Sequence, residues 1–220
     1  MLQMIWIASL LSQLFLGFEL SFFAFSKKFN IFTLFSIGIP IGFSLSALTF
    51  YLSSFFLRFN SLNLIIHSGA IFVTGYAFEF VRWRKKSKLI QKSLDKTSIF
   101  FFIFSIAFSL LIVPNMYFLK SQESNKEQNL KNYYVYAHGA FSGDIVEEIS
   151  LMNSFYHGAN SGFMNIFKIR HPACHKCHAR SRWLTALHSA MFLVGYSSYK
   201  IALVVPSFFM FYSICYLMLI

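Results

Sequence analysis

The sequence predicts an all-α, polytopic membrane protein with about five transmembrane helices and one large exoplasmic loop carrying two surface helices. Three observations predict it. Hydrophobic residues make up 56% of the chain and charged residues 12%, far from the balance of a soluble domain of 220 residues. Apolar runs of about 20 residues, enough to cross a hydrocarbon core, recur along it. Six of the seven histidines and two of the three cysteines fall between Ala137 and Met191, in the only long stretch without spanning character.

The first run, Met4–Phe25, is followed rather than preceded by its charges, Lys27 and Lys28. A cleaved signal peptide has a basic start, so this run reads as a retained helix with its N-terminus outside. Glu19 within it reads as an interfacial or bundle-facing carboxylate. The second span is Ile31–Leu57, where Gly38-Ile-Pro40-Ile-Gly42 predicts a kink that neighbouring helices tolerate. Leu62–Val81 is the third, with His67 and Glu79 near its ends as interhelical or interfacial residues. Seven of the 19 Lys and Arg lie between Arg82 and Lys96. A net charge of +11 raises nucleic acid as a partner, but a basic cluster between two apolar runs answers to the positive-inside rule and anionic lipid headgroups instead. No nucleic acid is expected. Ser98–Phe118 is the fourth span and Tyr199–Ile220 the fifth. Lys27-Lys28 and the 82–96 cluster give one topology, in which the loop after Leu119 is exoplasmic. The chain thus divides into a four-helix region (1–118), the loop (119–198) and a final helix (199–220).

Lys120 to Lys131 reads as solvated linker, and Tyr133-Tyr-Val-Tyr136 returns toward an apolar environment. From Asp144 to His157, Ile145, Ile149, Met152 and Tyr156 recur at helical spacing, too short to span, so this helix is placed along the exoplasmic surface. Asp144 in its first turn suits the helix dipole. Gly158-Ala-Asn160-Ser-Gly162 ends it, and a second short surface helix follows from Trp183 to Val194.

Two clusters in the loop can carry chemistry. Asp144, Glu147 and Glu148 share a helix face. Repulsion among them raises one carboxyl toward the range of a general base unless a cation compensates; otherwise they form a solvated helix start. Arg170, Arg180 and Arg182 offer forks for an anionic substrate. His171-Pro-Ala-Cys174-His175-Lys-Cys177-His178 contains Cys-x-x-Cys-His, the attachment signature of c-type haem, and Cys174, His175, Cys177 and His178 are also a zinc-capable set. The crowding of the ligands into eight residues and the lack of a second motif favour a disulfide or unpaired cysteines.

The run Gly143-Asp144-Ile-Val-Glu-Glu148 through Ser154-Phe155-Tyr-His-Gly158-Ala-Asn160 resembles the first exoplasmic loop of C-type (GT-C) membrane glycosyltransferases. The likeness is to relatives of the protein mannosyltransferases and of the bacterial lipid-linked sugar transferases. Leu187-His188-Ser189-Ala190-Met191 and Ile201 to Ser207 resemble that group's next surface helix and following span. The resemblance implies sugar transfer on the exoplasmic side from a polyprenyl-phosphate-linked sugar as donor substrate, and it names no certain cofactor. It implies Asp144 as base or acceptor-orienting group; Glu147 and Glu148 beside it complete the candidate catalytic set, and His188 joins the arginines as a candidate substrate contact. Glu148 stands where relatives often have His, Thr185 and Ala186 where they commonly have an acid, and five spans stand against the usual ten or more. A truncated gene product, an inactive degenerate paralogue or a fragment is the form expected, with a protein partner or the remaining helices of a longer chain to complete it. Membrane lipids surround it, in the endoplasmic reticulum of a eukaryote or the plasma membrane of a bacterium. The alternatives are a non-enzymatic membrane subunit or scaffold, and a redox protein using the Cys-His cluster.

Overall fold

A computed structural model describes residues 5–84, 95–116, 119–123, 133–137, 149, 152–153, 155–156, 183–195 and 199–220. It is all-α apart from one hairpin. The helices are α1 (Ile5–Phe25), α2 (Ile31–Leu57), α3 (Ser61–Arg84), α4 (Lys96–Met116), α5 (Trp183–Gly195) and α6 (Tyr199–Leu219). Every helix but α5 contains a segment long and apolar enough to cross a bilayer, so the chain is a multi-pass integral membrane protein. The hairpin pairs β1 (Leu119–Glu123) with β2 (Tyr133–Ala137) antiparallel, Leu119 opposite Ala137 and Glu123 opposite Tyr133. The strip expected to be linker from Lys120 is thus strand for its first residues. Tyr133-Tyr-Val-Tyr136 is a run of strong strand formers and supplies the partner.

Three short polar residues start the helices. Asn30 Oδ1 accepts from the Thr33 amide at 2.9 Å to cap α2, Asn60 Oδ1 from the Asn63 amide at 2.9 Å to cap α3, and Asp95 Oδ1 from the Ser98 amide at 2.9 Å to cap α4. Asn30 Nδ2 also donates to Ser98 Oγ at 3.0 Å, which ties the α1–α2 turn to the start of α4. Between α2 and α3 the chain reverses at Arg58, whose φ of 63° and ψ of 167° lie in a region essentially reserved for glycine. Asn63 Nδ2 holds the Arg58 carbonyl at 3.0 Å, and Ser53 Oγ donates to Asn63 Oδ1 at 2.8 Å.

Glycines set the α1–α2 crossing. A Cβ on Gly38 would stand 2.7 Å from the Gly17 carbonyl, one on Gly17 would overlap the Gly38 carbonyl oxygen, and one on Gly42 would overlap the Gln13 carbonyl oxygen. Gly38-x-x-x-Gly42 is therefore a small-residue contact face of the kind that lets membrane helices approach backbone to backbone. The helix continues through Pro40 as a single element, from Ile31 to Leu57. α6 joins α2 through Ser213 Oγ, which donates to the Ser36 carbonyl at 2.6 Å, and Ser36 Oγ, which donates to Tyr212 Oη at 3.2 Å. α4 packs on α6 and α2 by stacked rings, Phe108 on Phe211 and Phe102 on Phe32. The outward faces of α3 and α4 stay apolar, as at Val73 and Leu111, which suits a hydrocarbon solvent. The bundle has two ends. Its loop end carries the starts of α1, α3 and α6 with the α2–α3 turn; its basic end carries Arg84, Lys96 and the α1–α2 turn.

Candidate functional site

α5 forms over the stretch predicted, but not where a surface helix would lie. Leu187 through Val194 are all buried against α1, α2, α3 and α6. Gly195 meets Trp6 and Leu64, and Phe192 meets Trp6, while His188 meets Gln13 and Phe43. The step from Trp6 to Gln13 on α1 equals that from Gly195 back to His188 on α5, so the two helices run antiparallel in register. At 1.5 Å per residue His188 lies about 10 Å below the level of Gly195, and Gln13 about 12 Å in from Ile5. That depth is close to the middle of a hydrocarbon core of about 30 Å. α5 is a half-inserted helix, its C-terminus at the loop end and its N-terminus pointing into the bundle. Its pattern carries no charge on any face from Trp183 to Gly195, so no polar stripe holds it at a surface.

A layer of polar side chains lines the seat of α5. Ser12 Oγ donates to the Ser9 carbonyl at 2.8 Å, and Gln13 Nε2 donates to Ser9 Oγ at 2.9 Å. With the amide nitrogen so used, Gln13 Oε1 accepts from His188 Nε2 at 2.6 Å. His188 is 4% exposed and Gln13 0%. The imidazole lies against the Phe43 face at 4.4 Å and the Phe192 edge at 5.0 Å between ring centroids. Seated this way, His188 fastens α5 to α1.

A second histidine sits at the same end. Thr49 Oγ1 donates its one proton to the Leu45 carbonyl at 2.8 Å, so His67 Nε2 is the donor in the 2.8 Å bond to Thr49. Its Nδ1 is then a buried acceptor with no partner among the described residues. At the basic end, Arg82 Nη2 reaches Glu19 Oε1 at 3.2 Å and Glu79 Oε1 at 3.7 Å, with its guanidinium 4.5 Å over the Phe22 ring. Glu19 is bundle-facing, as one of its two sequence readings has it, and paired.

Of the candidate catalytic, substrate-binding and metal-ligating residues of the loop, Asp144, Glu147, Glu148, Arg170, Arg180, Arg182, Cys174, His175, Cys177 and His178 lie outside the described residues, and His188 lies within them. Within the helix expected over 144–157, Ile149, Met152, Asn153, Phe155 and Tyr156 are helical. Met152 and Phe155 are buried, and Phe155 sets its ring edge against Tyr51 of α2 at 6.0 Å. Among the described residues no three metal-ligating side chains come together. Sequence reasoning passed over Gln13, Ser9, Thr49 and Asn63. Ser9-x-x-Ser12-Gln13 does carry a signal, because that spacing gathers three polar side chains on one face of a membrane helix. In comparisons with known proteins, no family model, no curated protein and no solved structure matches this chain.

Proposed function

We propose that the chain is a membrane glycosyltransferase-like protein that transfers a sugar from a polyprenyl-phosphate donor at its loop end. The observation that carries the reading is the docking of the motif-bearing segment. Met152 and Phe155, inside the run that resembles the GT-C loop, are buried in the core of the bundle, Phe155 with its ring beside Tyr51 of α2. Ile149 and Tyr156 pack on the same core. An anchored loop helix at the end of a membrane bundle is the arrangement a transferase needs to bring a lipid-borne donor to an acceptor. In the reaction, the acceptor oxygen bonds to the sugar's anomeric carbon as the bond to phosphate breaks. Polyprenyl phosphate leaves, and Asp144 takes the acceptor's proton. Arg170, Arg180 and Arg182 are the groups of the right charge for the phosphate.

The test is transfer from radiolabelled polyprenyl-phosphate sugars in membranes carrying the full chain. Asp144→Asn keeps size and capping ability but removes basicity, and is expected to lower transfer about 10²–10⁴-fold with insertion unchanged. Full activity in Asp144→Asn refutes that role. Failure of the unaltered chain on every donor offered leaves the non-enzymatic subunit as the reading.

A further inference from the structure

We propose that α5 is an acid-released plug, in which protonation of His188 frees the half-inserted helix from its seat in the loop end of the bundle. The proposal goes beyond the transferase reading and does not depend on it.

The seat accepts a neutral imidazole. Gln13 has committed its amide nitrogen to Ser9 Oγ, so Oε1 receives the single Nε2 proton of His188, and the ring is otherwise enclosed by Phe43 and Phe192. A second proton makes a cation, and a buried cation is stable only with a partner. Among the described residues, the elements packed around α5 supply none. On α1 the one charged residue is Glu19, which lies toward the basic end and is paired with Arg82. α2 carries no charged residue from Ile31 to Leu57, only the neutral Tyr51. α3 brings His67, held by Thr49, and at its far end Glu79, Arg82 and Arg84 with Tyr76. α6 brings Lys200 at its start, a like charge, together with neutral tyrosines and Cys215. On the docked loop segment, Tyr156 is the one titratable side chain among the described residues. The Phe43 face returns only part of the cost of stripping water from a cation.

Released α5 has another place to go. It is apolar and carries Trp183, so it settles in the interface at the loop end, where His188 regains water. There its pKa is the ordinary value of about 6.5. The docked form excludes the proton and the released form binds it, so docking is fully present above that pH and weakens as pH falls. The loss is about tenfold per pH unit, or roughly 30-fold at pH 5.

Trp183, on the deep side of His188, reports the transition. The full chain is placed in bilayers with Trp6 and Trp83 replaced by Phe, leaving Trp183 as the only tryptophan. Its depth is read by quenching with lipids brominated near the chain midpoint and by aqueous acrylamide. At pH 7.5 the bromines should quench and acrylamide should not; at pH 5 the preference should reverse. His188→Gln, which donates to Gln13 but cannot take a charge, should stay deep at both pH values. Gln13→Glu, which gives the imidazolium its missing partner, should also stay deep at pH 5. A Trp183 already open to acrylamide at pH 7.5 overturns the half-inserted seat. A depth unchanged between pH 7.5 and 5, or a reversal that persists in both variants, overturns the switch.

Discussion

The α1–α2 crossing gives a prediction whose size and sign both come from the structure. A Cβ on Gly38 would lie 2.7 Å from the carbonyl carbon and oxygen of Gly17, where ordinary contact begins at 3.4 Å. Both obstructing atoms are backbone, so no rotamer change makes room. Gly38→Ala must therefore push the helices apart by several tenths of an ångström along a crossing that also holds Gly42 against Gln13. Overpacking of this kind costs about 1–3 kcal/mol, and separating the close-packed faces adds to it. Replacing a helical glycine by alanine recovers at most about 1 kcal/mol of propensity. The net expectation for Gly38→Ala is a loss of about 1–3 kcal/mol. Gly69, on the lipid-facing side of α3, is the control, because nothing lies within 4 Å of a Cβ built there. Gly69→Ala keeps only the propensity gain, about 0–1 kcal/mol of stabilisation. Reversible unfolding in mixed micelles at increasing SDS fraction, followed by tryptophan emission, measures both. The reasoning fails if Gly38→Ala is as stable as Gly69→Ala.

Three further outcomes follow from an ion pair, a backbone angle and the charge topology. Arg82→Ala leaves Glu19, with its side chain 3% exposed, as an unpaired buried carboxylate and should cost about 3–5 kcal/mol; removing both charges with Glu19→Leu and Arg82→Met should restore most of it. The same unfolding assay decides, and equal losses in the single and double variants would contradict the pairing. Arg58→Gly should stabilise by about 1–2 kcal/mol by relieving a φ of 63° at a ψ that glycine alone adopts freely. A destabilised Arg58→Gly would mean that the side chain, not the backbone, matters at that turn. A cysteine at Ser124, in a chain whose own cysteines are replaced by serine, should react with an impermeant maleimide from outside the membrane, as the two basic clusters require. Labelling only from the side facing Arg82–Lys96 would invert the topology.

The spans were legible in the sequence because a bilayer imposes a length and a composition on each segment by itself. Met4–Phe25, Ile31–Leu57, Leu62–Val81, Ser98–Phe118 and Tyr199–Ile220 each meet that rule without reference to any other helix, and each recurs as α1, α2, α3, α4 and α6. The extent of α5 was legible too, read as Trp183 to Val194 in the sequence and found as Trp183 to Gly195. Its burial was not. A short apolar helix is compatible with a membrane surface and with a bundle interior alike, and only the partners offered by α1, α2 and α6 select the interior. The same holds for Gly38 and Gly42, which the sequence alone read through Pro40 as a kink. Their function as a contact face exists only once Gly17 is brought opposite. His188 shows the division most plainly. Its place among chemistry-bearing residues came from the sequence, but the bond to Gln13 joins side chains 175 positions apart, and a separation of that kind leaves no local trace. Composition and period are set residue by residue by solvent; pairings across the bundle are set by which faces the fold leaves to meet.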